Sequence, residues 1–293
     1  MKPIITTPLS GKARIFYLFL FSFVGLFVAG GMMQFFSVVF ALNDPLNPLY
    51  IRLNTFLHSL LIFFLPAYFV SWLGGSRPSC FLRLQKSSKL AFGIGMAIFI
   101  FITAMPMVSF LTRLNEQMQL PESLKSIEQW MQQAENEATA ATEILLSGRN
   151  AGVLIVNFLL IGVFAALAEE FFFRGVLQQS FAEMFKNEHA AVWLTAFLFS
   201  AIHLQFYGFL PRLVLGVLLG YLFLYGRNLW LPIAAHFFNN AFTLLVIYFF
   251  GETDFMQWIE NQPLTLEFGC WAAISLIVTL LLFRFYKKRM EDV

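Results

Sequence analysis

Charge is what this chain has least of. Of its 293 residues 12% are charged, while 59% are hydrophobic and 18% aromatic. Soluble domains carry about 25% charged residues. The mean hydropathy of +0.72 points the same way, to a bilayer as solvent. Cysteine is nearly absent. Cys80 lies beside a basic loop and Cys270 in an apolar run, so two such residues build neither a disulfide framework nor a thiolate metal site. The net charge is +2, with Lys and Arg bunched in short loops, which leaves no basic field suited to nucleic acid. The His-Glu-xxx-His pattern of soluble zinc proteases is missing. So are the paired, Gly/Pro-broken helices in two matching halves that mark a secondary carrier. No internal repeat, low-complexity segment or soluble domain interrupts the chain.

What is there is a series of long apolar runs separated by turn chemistry. The first run, Ile15 to Leu42, follows Lys2, Lys12 and Arg14 and is too long for the core of a secretory signal, so it reads as a retained membrane helix. Asn43-Asp-Pro-Leu-Asn-Pro48 closes it. Further spans are expected at 54–73, 90–111, 151–177 (running on to about 186), 190–204, 209–225, from about 230 to 250, and 268–283, with bends at Pro66 and Pro106. The fifth is short for a full crossing. The expected fold is thus all-α, a polytopic membrane helical bundle of about eight transmembrane helices. Between the third and fourth spans lies the longest polar stretch, Thr112 to Asn150, whose apolar residues from Pro121 onward have the spacing of an amphipathic helix lying on the membrane surface.

Three regions follow: 1–150, with three spans and the amphipathic segment; 151–250, a helical core; and 251–293, an acidic loop, a last span and a basic tail. The amino-terminal tail, the Arg77–Lys89 loop and the carboxyl-terminal tail are basic. The loops at Asp44, Glu116–Glu143 and Glu252–Glu260 are poor in Lys and Arg. The two sets alternate, which places both termini in the cytoplasm of a plasma-membrane protein.

The chain is organised around Ala168-Glu169-Glu170-Phe171-Phe172-Phe173-Arg174-Gly175. Each charge at bilayer depth costs at least ~2.5–3.5 kcal/mol, so three within one apolar helix need a reason. Glu170 and Arg174 stand at i, i+4 and can pair; Glu169, about 100° further round, must find a partner elsewhere. Candidates are His203 in Phe199-Ser-Ala-Ile-His203, and His236 with Asn240, which share a face of the seventh span. Helix rise puts Glu169 and His203 about 20 Å, and His236 about 10–15 Å, from the basic loops, one layer between spans 4, 5 and 7 reached from the cytoplasmic side. The plainer alternative is an interhelical polar clamp. His58 has no partner pattern and reads as a packing residue.

Convergent groups of these types, shielded from bulk water, are what amide hydrolysis requires. A carboxylate in a low-dielectric site takes a proton more readily than in water. Glu169, with His203 beside it, could so activate a water, while His236 and Asn240 face the developing oxyanion. Arg174 would keep Glu170 ionised. The set Glu169, His203 and His236 could instead hold Zn²⁺, since imidazole nitrogen and carboxylate oxygen are its usual non-thiolate ligands.

Glu169-Glu170-xxx-Arg174, Phe199-xxx-His203 and His236-xxx-Asn240 together resemble the three motifs of the type II CAAX prenyl protease family, the CPBP or Abi family of intramembrane proteases. The resemblance runs from about Val153 to Val246. It implies an endopeptidase acting on a membrane-associated peptide or protein, with Glu169 and His203 activating water, His236 and Asn240 forming the oxyanion site, and Glu170 and Arg174 in support. The family is described both as metal-dependent and as using a glutamate base without metal. It also includes proteins of bacteriocin maturation and self-immunity. A non-catalytic membrane binding partner and, further off, an ion or metal carrier are therefore the competing readings.

Overall fold

The structure is a computed structural model that describes residues 9–42, 44–74, 77–146, 148, 150–251, 253 and 262–291. Several residues used above, namely Lys2, Asn43, Glu252 and Glu260, lie outside the described residues. Among those described there are helices and turns and no strand. Among the described residues the longer helices are nine: α1 (Gly11–Val39), α2 (Pro48–Leu73), α3 (Leu90–Glu116), α4 (Lys125–Leu146), α5 (Ala151–Phe185), α6 (Glu188–Ala201), α7 (Phe209–Gly226), α8 (Trp230–Phe250) and α9 (Leu266–Glu291).

Local chemistry explains where they begin. Asn47 caps α2 through Leu49 N–H, with Pro48 at the first helical position. Asn150 caps α5 through Val153 N–H, and Asn187 caps α6 by accepting from both His189 and Ala190. In each case a short polar side chain satisfies amides that the helix cannot. Asn47 thus opens α2, where the sequence reading places Asn47 and Pro48 in the turn closing the preceding run.

Among the described residues seven helices are long and apolar enough to cross a membrane, one fewer than expected. The exception is α6, which has 14 residues. At ~1.5 Å per residue it spans ~21 Å against a hydrocarbon core of ~30 Å. The connection 202–208 follows it. Its turn is held by Arg212, which donates to the side chain and backbone oxygens of Gln205.

The helix ends sort into two layers. At one end Arg14 pairs with Glu183 at 2.8 Å, Arg227 with Glu188 at 2.9 Å, and Lys89 Nζ donates to the Arg289 carbonyl at 2.6 Å. The start of α1, the loop before α3, the α5–α6 and α7–α8 turns and the end of α9 therefore share this basic end. At the other end α4 is tethered near its neighbours, with only Met131 and Leu145 buried. Asn157 donates to the Leu145 carbonyl, Arg52 donates to Asn157, and Gln132 reaches the Tyr207 hydroxyl.

Two helices depart from regular winding. Ser59–Phe64 in α2, and Phe158–Ala165 and Phe171–Gln178 in α5, are wound wider, with hydrogen bonds reaching five residues back. The first case has a visible cause. Pro66 has no N–H to give the carbonyl of Ile62, and Ser22 of α1 donates to that oxygen instead, at 2.8 Å. In α3 the break at Pro106 is mended similarly, by Ser275 of α9, which accepts from Met107 N–H and donates to the Thr103 carbonyl.

Candidate active site

The two wide stretches of α5 bracket one ordinary turn, Ala166–Glu170. Widened turns recur at functional sites because they re-aim side chains and expose carbonyls. Glu170 and Arg174 are both fully buried, and Arg174 Nη1 donates to Glu170 Oε1 at 2.5 Å. The same oxygen faces His236 Nδ1 of α8 at 2.8 Å. Arg174 Nη2 donates to the Gly216 carbonyl of α7 at 3.0 Å, and the guanidinium stands 4.7 Å from the Phe199 ring of α6. One buried guanidinium thus ties together four elements. Glu170 Oε2 and Arg174 Nε have no hydrogen-bond partner among the described residues.

Glu169 points differently, as its place on the helix requires. It is 18% exposed at the side chain, and its Oε2 lies 3.9 Å from His236 Nε2. His236 therefore stands between the two carboxylates, bonded to one and close to the other. With Glu170 ionised, its carboxylate can only accept, so Nδ1 of His236 carries the proton and Nε2 faces Glu169.

His203 joins the layer through Phe199, whose ring packs edge-on against both His203, at 5.3 Å, and His236, at 5.8 Å. It does not ride on a helix. The α6 helix ends at Ala201, and His203 sits in the following turn with Nδ1 on the Phe199 carbonyl at 2.8 Å. A carbonyl can only accept, so this bond fixes the proton on Nδ1 and leaves Nε2 of the neutral ring as a free base. Asn240 Nδ2 donates to the Ile161 carbonyl, in the first wide stretch of α5, at 3.1 Å.

All six candidate residues thus fall at the seam of α5, α6 and α8. The neighbours that the motifs do not name are the Gly216 and Ile161 carbonyls. The first had a signal in the sequence: Gly216 and Gly220 stand at i, i+4 on α7, in register with Arg174 and Gln178, which donate to them. Every residue from Phe171 to Gln178 of α5 is buried. Glu169, His203 and Asn240 keep partial exposure.

Zinc requires more than this seam assembles. A catalytic site supplies three protein ligands and an open position. Among the described residues no group of three or more His, Cys, Asp or Glu side chains could hold a metal ion, so Glu169, His203 and His236 do not fit as a ligand set.

Residues 151–242 match the family model of the type II CAAX prenyl endopeptidases, Rce1-like. This segment is Rce1-like, consistent with the CPBP family. Covering about a third of the chain, the Rce1-like segment holds every candidate site residue, and it supports a CAAX-type intramembrane protease in general. The membrane setting of seven apolar helices and a peptide or protein substrate go with that assignment. Comparisons with curated proteins and with solved structures return no match.

Proposed function

We propose that this protein hydrolyses a peptide bond of a membrane-associated peptide or protein, with Glu169 as the base that activates water. The observation that carries this reading is His236 held between Glu170 at 2.8 Å and Glu169 at 3.9 Å. It joins the first and third motifs into one polar centre inside an apolar bundle. Water loses a proton to Glu169, assisted by the free Nε2 of His203, and its oxygen adds to the carbonyl carbon. Negative charge gathers on the carbonyl oxygen. The donors available there are the second amide N–H of Asn240 and Nε2–H of His236 in its doubly protonated form. The C–N bond then breaks as the amine takes the proton held by Glu169. Glu170 and Arg174 touch no substrate in this scheme; they position His236. The mechanism uses these side chains without a metal.

The test is Glu169→Gln, nearly the same shape without the base. Cleavage of membrane peptides, measured in cells and with purified protein, should fall by about 10²–10⁴-fold while the thermal midpoint holds. Full activity in both Glu169→Gln and Glu170→Gln would refute the carboxylate-base reading. Retained partner binding with no cleavage by the native chain would favour the binding-protein alternative.

A further inference from the structure

Away from the catalytic seam, the basic end holds a second feature that the reaction does not use. A groove of about 540 Å³ opens between α3, α6, α7 and α9. Its apolar wall is built by the buried Val217 and Leu218 of α7 and by Leu276, Leu280 and Phe283 of α9, of which Leu276 and Leu280 are exposed. Its mouth is of another kind, with Tyr225, Arg284 and Lys287. Along α9 the change is abrupt: Phe283 is apolar wall and Arg284 is mouth. From Leu276 to Lys287 the helix rises about 16 Å, so the groove is long and has a polar head and an apolar body.

The cations at the mouth are available. Arg284 has no hydrogen-bond or ion-pair partner among the described residues. Lys287 stands 4.9 Å from the Tyr225 ring, and its contact with Glu291, at 3.9 Å between two half-exposed side chains, is long and screened by solvent. Tyr221, which also lines the groove, is steadied by His189, whose Nδ1 lies 3.0 Å from its hydroxyl.

We propose that this groove binds one anionic phospholipid of the leaflet at the basic end, its acyl chain along Val217, Leu218 and Leu280 and its headgroup phosphate on Arg284 and Lys287. The partner is chosen by charge complementarity together with shape. A guanidinium and an ammonium at the interfacial end of an apolar slot match a negative headgroup on a hydrocarbon tail. A zwitterionic lipid fills the same slot but brings a positive group toward two cations. The site is separate from the catalytic seam, and the inference does not depend on the chain being a protease.

The experiment is native mass spectrometry of the full chain released from nanodiscs of equal phosphatidylglycerol and phosphatidylcholine. Phosphatidylglycerol should be retained on the protein roughly fivefold or more over phosphatidylcholine, as one tightly held molecule. Arg284→Gln with Lys287→Gln should abolish that preference. Leu280→Trp, at a side chain already 58% exposed and so of little consequence for folding, should fill the slot and lower retention of both lipids. A charge-matched control, Lys86→Gln with Arg289→Gln, removes two cations from the same end outside the groove and should change nothing. Equal retention of both lipids by the native chain, no effect of the groove substitutions, or an equal loss in the control would each overturn the proposal.

Discussion

At the scale of single residues, the centre is organised by what Arg174 neutralises. Burying Glu170 alone would carry a desolvation cost of several kcal/mol, and the guanidinium offsets it by charge and by direct bonding. Arg174→Ala leaves a buried carboxylate facing His236 with no cation, and is expected to lower stability by about 3–5 kcal/mol, read as a fall in the thermal midpoint in detergent. Glu170→Gln should cost activity mainly through His236, because an amide does not stabilise an imidazolium as a carboxylate does. A metal enters at this scale too. Chelation verified by elemental analysis is expected to leave the cleavage rate unchanged; a loss restored by zinc or cobalt would put an ion into the mechanism. The pairing of Glu170 with Arg174 was legible from spacing alone. The position of His203 was not, since nothing in Phe199-Ser-Ala-Ile-His203 announces that α6 stops two residues before the imidazole.

Helices meet here at points where side chains are missing. A Cβ on Gly25 of α1 would stand 1.9 Å from the Leu61 carbonyl oxygen of α2, in the wide turn that Pro66 accompanies. That neighbour is backbone and cannot step aside. Gly25→Ala is therefore expected to force α1 and α2 apart and destabilise by about 1–3 kcal/mol, measurable as a lowered midpoint without change in helix content. A Cβ on Gly216 would likewise approach Ala196 of α6 at 3.1 Å, so α6 and α7 lie nearly backbone to backbone. That closeness brings the Gly216 carbonyl within reach of Arg174. Small residues at i, i+4 in an apolar run foretell such packing. The widened turns of α5 had no comparable signature; the first meets Asn240 of α8 through the Ile161 carbonyl, and the second meets α7 through Arg174 and Gln178.

For the whole molecule, the charge pattern and the packing agree that the first and last helices end in the same layer. If that basic layer is cytoplasmic, as the bias in Lys and Arg implies, Cys80, one of two exposed thiols, reports it in a Cys270→Ser background. Cys80 should react with an impermeant maleimide in inside-out membrane vesicles and stay unlabelled in intact cells; the reverse pattern would invert the orientation. The short α6 agrees with a fifth run already too short for a full crossing, and it ends sooner still: the run extends to Leu204, yet the helix stops at Ala201, with Leu204 in the left-handed region at φ 54°. The turn that follows is bonded to Arg212.

The amino-acid sequence alone determined the bilayer as solvent, the number of spans to within one and the three polar motifs. Each of these follows from local hydropathy, spacing and side-chain chemistry. Only the tertiary structure decided that His236 stands between the two carboxylates, that His203 serves from a turn, and that Gly216 and Ile161 lend their carbonyls. Those contacts join residues 42 to 79 positions apart, and no local rule reaches across such separations.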